Sequence, residues 1–353
     1  MQVARKVTQM AENPWAGKKV MITGACGTVG KELLHQILAL GPAEIVGIDN
    51  NEAGIFYLRQ EVPDNVHLYI CDVRDRDRLF LRAHGVDIVM HAAAYKNAPV
   101  CEDSPMEAVQ NNILGTQNVI DAGIAANAER VLFNSTDKAV NPTSVMGTTK
   151  LMCERLITAA NAQRRGKRPI LASSRFGNVL GSRGSVIPVF ANQIRAGGPV
   201  TLTDPDMTRF IMTLSQAVQL VVDAVFWAQG GEVFVTKMPV IRIEDLAIAM
   251  VEELAPEFGH DAASIEVRVT GHRPAEKIYE ELVNEEEVRR TIELEKHFVV
   301  LPALEAVYQE TIHEYAGQVP AKASAAYNSS LQTPMSREEL RGYLRDNGLL
   351  DGL

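Results

Sequence analysis

From Lys19 onward the chain alternates short β-branched runs with longer helical patterns, and this alternation limits its fold more than any other feature. The runs are "KVMIT", "AEIVGID", "NVHLYICD", "VDIVMHAA", "RVLFNST" and "PILASSRF". Such spacing predicts βαβ units, hence an α/β protein with a doubly wound parallel sheet covered by helices on both faces. Between the fourth and fifth runs, "SPMEAVQNNILGTQNVIDAGIAANA" carries apolar residues at helical spacing behind a Ser-Pro start signal. "MGTTKLMCERLITAANAQRR" predicts a further helix, and the glycine-rich "GNVLGSRGS" a loop.

Beyond about residue 190 the alternation decays into shorter elements: a helix over "VIPVFANQIRAG", a strand over "PVTLTD" and a loop carrying Arg209. The expected organisation is a lead segment (1–17), a sheet-forming domain (18–190) and a smaller C-terminal part (191–353) that packs over the sheet and holds a substrate. That boundary is soft, because "EVFVTK" is able to return to the main sheet. The tail "SREELRGYLRDNGLL" reads as a capped surface helix.

Composition bounds the partners. With 44 acidic against 35 basic residues the formal charge is -9, which argues against nucleic acid or insertion into an anionic membrane. An anionic ligand must then be met by a local cluster of arginines and lysines. No apolar stretch reaches the roughly 20 residues of a membrane span, and the opening "MQVARKVTQMAENPWAGKK" lacks the apolar core of a signal peptide. The expected location is cytoplasmic. The four cysteines show neither metal-type pairing nor a disulfide framework, and no metal site is expected.

The segment "VMITGACGTVGKELLHQIL" places Gly24, Gly27 and Gly30, with Thr28 and Val29, between the first strand and the first helix. Glycines there permit a tight turn and let the backbone approach a pyrophosphate at the positive end of the helix, as in a Rossmann-type fold. Asp49, closing the second strand, would accept the adenosine ribose hydroxyls and repel a 2′-phosphate, which favours NAD. Asp72 and Val73 are expected at the adenine, and Ala92, Ala93 and Ala94 are small enough to admit the cofactor. The plainer alternatives are that Asp49 and Asp72 cap helices and that the alanines are packing.

The stretch "STDKAVNPTSVMGTTK" sets Asp137 beside Lys138 and ends on Lys150. Together with "TGACGTVG", "HAAAYK" and Asn111, it resembles the extended short-chain dehydrogenase/reductase superfamily. With "SRFGNVLGSRGSVIPVF" and "GHRPAEKIYEEL", it resembles the nucleotide-sugar 4,6-dehydratases that act on UDP-N-acetylglucosamine. The likeness runs from about residue 18 over almost the whole chain.

That resemblance implies C4 oxidation by NAD, loss of water across C5 and C6, and hydride return to C6. It implies Asp137 as general acid, Lys138 as base toward C5, Thr136 hydrogen-bonded to the 4-hydroxyl, and Lys150 on the nicotinamide ribose. For these roles the Asp137 pKa should be raised by burial, and that of Lys138 lowered by desolvation or by Lys150. The plainer alternative is a solvated salt-bridging turn.

Met146 occupies the slot where the superfamily keeps tyrosine and has no titratable proton. The 4-hydroxyl proton therefore has three candidate acceptors: Asp137, water relayed by Thr136, or Tyr95, with Asp137 preferred.

For the sugar nucleotide, Arg209 and Arg273 are expected to grip the pyrophosphate from loops. Asn178 would reach the phosphates or the sugar, Glu276 the uridine ribose, and "PVTLT", with Thr201, the uracil through its backbone. Lys96 and Arg183 are further candidates, and a surface salt bridge is the plainer reading of each. Asn97 and Ala275 depart from the histidine and glycine usual in these dehydratases. The resemblance also implies a homo-oligomer built through two long helices. The rival functions are a UDP-sugar 4-epimerase on the same fold and a catalytically silent NAD-binding regulatory protein.

Overall fold

The computed structural model describes residues 13–181, 185–271, 276–304, 306–308, 311–315 and 318–353. Each of the six predicted runs contains a strand: β1 (Lys19–Thr23), β2 (Glu44–Asp49), β3 (Val66–Ile70), β4 (Ile88–His91), β5 (Arg130–Asn134) and β6 (Ile170–Arg175). Between them lie α1 (Thr28–Ala39), α2 (Glu52–Leu58), α3 (Arg76–Ala83), α4 (Ala98–Asp103), α5 (Pro105–Ala108), α6 (Gly115–Ala125) and α7 (Val145–Gln163).

Shorter elements follow. They are β7 (Asn178–Val179), α8 (Val186–Arg195), β8 (Val200–Leu202), β9 (Thr208–Met212), α9 (Leu214–Trp227), β10 (Val233–Thr236), β11 (Val240–Arg242) and α10 (Ile243–Glu257). The chain then forms β12 (Val267–Val269), β13 (Glu281–Val283), α11 (Glu285–Val288), β14 (Thr291–Leu294), β15 (His297–Val300), β16 (Gln318–Lys322), β17 (Tyr327–Asn328) and α12 (Arg337–Asp346).

The main sheet has the order β16-β14-β15-β10-β6-β5-β4-β1-β2-β3. From β3 to β10 every pairing is parallel, and β15, β14 and β16 extend it antiparallel. "EVFVTK" does return to the main sheet, as β10. The chain turns to opposite sides of β1 on leaving it for β2 and on returning through β4, which opens a crevice at the carboxyl ends of β1 and β4.

Apart from the edge strand β3, where His67 and Ile70 are exposed, the strands β1 to β6 are covered on both faces, which is why they read as continuous apolar runs. In β1, Val20 and Ile22 pack on one face with Leu33, Leu34 and Ile37 of α1. Met21 packs on the other with Val119 and Ile157 of α6 and α7. A separate apolar cluster joins Phe190 and Ile194 of α8 to Met250 of α10 and Leu340 and Leu344 of α12. The last helix is capped as expected, Ser336 and Glu339 forming a reciprocal box.

Two expectations change. The helix predicted over 104–128 is broken by a π-helical turn at Val109–Leu114, and such an insertion re-aims side chains that a regular helix would place elsewhere. Arg209, expected in a loop, lies inside β9, which pairs with β11 and β7. All four cysteines are free thiols.

Candidate functional site

Three cavities open at the sheet's carboxyl edge and share walls. The first, about 350 Å³, is lined by Gly24, Gly27, Thr28, Asp49, Asp72, Val73, Ala92 to Ala94 and Asn111. The second, about 320 Å³, shares its glycine wall and adds Val29, Gly30, Ser135, Thr136, Lys138, Met146 and Lys150. The third, about 470 Å³, takes Lys96, Asn97, Asn178, Thr201, Arg209 and Glu276. Lys96 lines all three, so they form one continuous cleft.

The first cavity fits a dinucleotide. A Cβ on Gly30 would stand 2.0 Å from the Gly24 carbonyl oxygen, so only glycine allows α1 to start this close to β1. The N-cap of α1 is Gly27, with no side chain to satisfy the first-turn amides, which leaves donors for a phosphate. Asp49 does not cap α2; Asn51 does. The Asp49 carboxylate accepts from the Cys26 and Asn51 amides at 2.9 Å each, which fixes it at the cavity wall. Nor does Asp72 cap α3, where Asp75 serves. Hydrogen bonds from Arg74, 2.7 Å away, are the main reason the Asp72 carboxyl falls to about 2.

Behind this wall His91 is fully buried, 2.7 Å from Thr23 Oγ1 and 3.0 Å from Thr116 Oγ1. Burial, aided by the charge of Lys150, lowers it to about 3, so it is neutral. Within the π turn, Asn112 accepts from the Tyr95 amide (2.8 Å) and donates to the Tyr95 carbonyl (3.1 Å), pinning the strand end that carries Tyr95 and Lys96. Asn111 Nδ2 donates to Asn112 Oδ1 at 3.1 Å.

At the second cavity, Asp137 and Lys138 lie on a 3-10 turn after β5. A Cβ on Gly147 would stand 2.3 Å from the Lys138 carbonyl oxygen, so glycine lets α7 seat against this turn. Asp137 is fully buried. Its Oδ1 accepts from Thr136 Oγ1 at 2.7 Å and from Lys138 Nζ at 3.0 Å, while Oδ2 has no partner. Lys138 Nζ also donates to Asn178 Oδ1 at 3.0 Å and lies 3.5 Å from Glu280 Oε1. Asn178 therefore holds the lysine as well as lining the third cavity. Met146 is buried against Cys101 and Ala108. Asn134 Nδ2 and Ser135 Oγ, also buried, have no partner.

The electrostatics invert one expectation. Lys138 is not lowered: burial pulls its ammonium down, but Asp137 and Glu280 outweigh burial and hold it above the ordinary lysine value. Lys150 is the depressed lysine. Burial brings it to about 8, with Nζ donating to the Asn134 carbonyl at 2.8 Å and lying over the Phe133 ring. Desolvation also lowers Lys96.

The third cavity corrects two more expectations. Arg209 does not present a free fork: Nη1 donates to the carbonyls of Thr208 (2.7 Å) and Ile278 (3.0 Å), and Nη2 to that of Lys277 (2.7 Å). The Thr201 amide donates to Gln193 Oε1 at 3.0 Å, and the Val200 amide to the Glu266 carbonyl at 2.9 Å. These two amides are thus committed within the protein, although Thr201 still lines the cavity. Arg183, Arg273 and Ala275 lie outside the described residues.

Glu280 escaped the sequence reading. It lies inside the quoted "GHRPAEKIYEEL", yet nothing local marks it as different from Glu281. His91, Asn112 and Gly147 were missed for the same reason, since only their tertiary neighbours give them roles.

A doubly wound sheet with a glycine turn, an acidic second-strand end and a lysine on the helix after β5 defines the short-chain dehydrogenase/reductase class. A family model described as polysaccharide biosynthesis protein matches residues 20–302, and the chain belongs to that family. An uncharacterized membrane protein of Methanocaldococcus jannaschii is 47% identical over 295 residues, covering 83% of this chain and 89% of the relative. The inverting UDP-N-acetylglucosamine 4,6-dehydratase of Campylobacter jejuni is 37% identical over 298 residues (84% and 86%). The UDP-glucose 4-epimerase of Rickettsia rickettsii is 39% identical over 290 residues (80% and 82%).

Some relatives are longer. The chain spans 47% of the probable polysaccharide biosynthesis protein EpsC of Bacillus subtilis, to which it is 42% identical over 290 residues, 80% of this chain. The X-ray structure of Pen from Bacillus thuringiensis is 39% identical, with a TM-score of 0.86 and coverage of 95% of this chain and 99% of that one. Among the described residues no helix is long and apolar enough to cross a membrane.

Proposed function

We propose that the chain is an NAD-dependent nucleotide-sugar 4,6-dehydratase that converts UDP-N-acetylglucosamine to a UDP-4-keto-6-deoxy-N-acetylhexosamine. The observation that carries the reading is the buried Asp137 paired with Lys138 where the dinucleotide cleft meets the third cavity. An epimerase needs no such acid and base beside the sugar.

NAD, when bound, would supply the hydride acceptor for C4 and the hydride donor for C6. The glycine turn, Asp49, Asp72, Asn111 and Lys150 would hold it. Asp137 takes the proton of the 4-hydroxyl through Thr136, which lines the second cavity and whose hydroxyl already donates to the carboxylate. The C4 ketone makes the C5 proton acidic, and Lys138 removes it. Asp137, now a buried acid, protonates the departing 6-hydroxyl. Met146 contributes shape alone, since the proton of the 4-hydroxyl goes elsewhere. Lys96, Arg209 and Glu276 line the cavity for the UDP moiety, where Arg209, with three of its N–H groups on carbonyls, keeps only Nε–H and one N–H of Nη2.

Incubation with UDP-N-acetylglucosamine in heavy water, read by proton NMR and mass spectrometry, tests this. Loss of water, a new methyl signal and deuterium at C5 are expected. A product that retains the elements of water, with its 4-hydroxyl inverted, would make the protein a 4-epimerase. That second reading is supported by the likeness to the UDP-glucose 4-epimerase of Rickettsia rickettsii.

A further inference from the structure

As a base toward C5, Lys138 has to lose a proton, and the site holds it as an ammonium. A second acid is packed against it. Glu280 is 3% exposed, with Oε1 3.5 Å from Lys138 Nζ and 3.8 Å from Arg209 Nε, and its Oε2 has no partner. The backbone fixes it in place: its amide donates to Ser329 Oγ and its carbonyl accepts from the Ser329 amide, both at 2.9 Å.

We infer that Glu280 is the positioning residue that makes Lys138 a base, by accepting the lysine's proton after Asp137 has been neutralised and returning it when the cycle ends. The inference rests on the dehydratase reading. Lys138 faces Asp137 on its own turn, Glu280 from the segment before β13 and Arg209 from β9. Glu280 additionally feels Lys277.

With Asp137 ionised, two anions hold the ammonium. Once Asp137 carries the proton of the 4-hydroxyl, one of them is gone and Arg209 still repels the lysine. Burial raises the Glu280 carboxyl; Lys138, Arg209 and Lys277 oppose it, and Asp137 adds to it only while ionised. The exchange is then short and balanced. An N–H bond of Lys138 breaks and an O–H bond forms on Glu280, leaving an amine and a carboxylic acid with no change of oxidation state. The amine takes the C5 proton and Asp137 releases water from C6. Lys138 returns a proton to C5, and Glu280 then restores the ammonium.

The test is the Glu280→Gln variant, nearly isosteric and unable to accept a proton. Its kcat for dehydration and for C5 deuterium exchange should fall at least about tenfold at neutral pH with KM little changed, then recover about tenfold per pH unit as solvent deprotonates Lys138. The wild type, with its internal acceptor, should be flat over that range. A uniform loss at all pH values, or an unchanged profile, would overturn the inference. So would activity extended to lower pH without loss at neutrality, since Glu280 would then merely hold Lys138 charged.

Failure of the dehydratase reading shows separately, as a wild type that dehydrates no UDP-sugar. The pairing is then read without turnover, from the pH dependence of Lys138 acetylation by acetic anhydride followed by peptide mass spectrometry. Its midpoint should fall by about one pH unit in Glu280→Gln. An unmoved midpoint would show that the two groups do not share a proton.

Discussion

Two buried charge clusters lie close together, and they are built to opposite ends. In one, Arg175 of β6 uses all five of its N–H donors: Nε and Nη2 on Glu154 of α7, Nη1 and Nη2 on Glu287 of α11, and Nη1 on the Leu282 carbonyl, at 2.7 to 2.9 Å. In the other, Asp137, Lys138, Glu280 and Arg209 stand 3.0 to 3.8 Å apart, with one oxygen of each carboxylate left without a partner. A buried acceptor without a partner costs about 1–3 kcal/mol, so its retention calls for a reason. The complete cluster ties α7 and α11 to the sheet. The incomplete one keeps groups able to change protonation and to meet a ligand.

Breaking the complete cluster should have the largest effect. Arg175→Met would leave two buried carboxylates uncompensated and should lower stability by about 3–5 kcal/mol, read by urea denaturation. Glu280→Gln, in the other cluster, should move the same midpoint by less than about 1 kcal/mol. Equal losses at the two sites would erase the distinction.

The converse holds for turnover. Lys138→Ala should reduce dehydration by roughly 10²- to 10⁴-fold while NAD affinity, measured by calorimetry, stays near that of the wild type. Loss of the Lys138 side chain also leaves the buried carboxylates of Asp137 and Glu280 without their shared cation, so the unfolding midpoint should fall as well, and turnover is compared at a temperature where both proteins are folded. A variant that still dehydrates at the normal rate would remove Lys138 from the chemistry.

The contrast also explains what the sequence made legible. The parallel strands are visible because, the edge strand β3 aside, both faces of each are buried, and because the glycine turn is local. Asp137 and Lys138 were visible because they are neighbours in the chain at a strand end. Glu280 and Arg209 reach them from distant segments, and in β9 the charge of Arg209 interrupts the apolar run "TRFIM". The state of the two lysines was misjudged because a pKa is set by tertiary neighbours. Lys138 gained two carboxylates, whereas Lys150 gained a carbonyl and an aromatic ring. Nothing in "VQNNIL" announces a π turn, although that turn brings Asn112 to the Tyr95 backbone.

His91 offers a smaller effect, from a buried titratable group outside both clusters. The folded protein leaves it neutral down to about pH 3, whereas the unfolded chain protonates it near 6.5. Between those values the unfolded state binds the extra proton. Stability should therefore fall as pH drops below about 6.5, by up to about 1.4 kcal/mol per pH unit from this residue. His91→Gln should flatten the acid side of a plot of urea midpoint against pH, and an unchanged slope would assign acid sensitivity to other groups.

The smallest effect is expected at Met146, beside the incomplete cluster. It packs on Cys101 and Ala108 and lines the second cavity, so it either fills the tyrosine slot or touches the sugar. Met146→Leu conserves volume and should cost less than about 1.5 kcal/mol. If the slot is only filled, kcat and KM should stay within about threefold of the wild type, because no proton passes through a thioether. A large fall in kcat with stability intact would place the Met146 side chain against the reacting carbons. The polarisable sulfur and the reach of the unbranched chain would then be what the site selects at this position, and the incomplete cluster would extend one residue further than its charges.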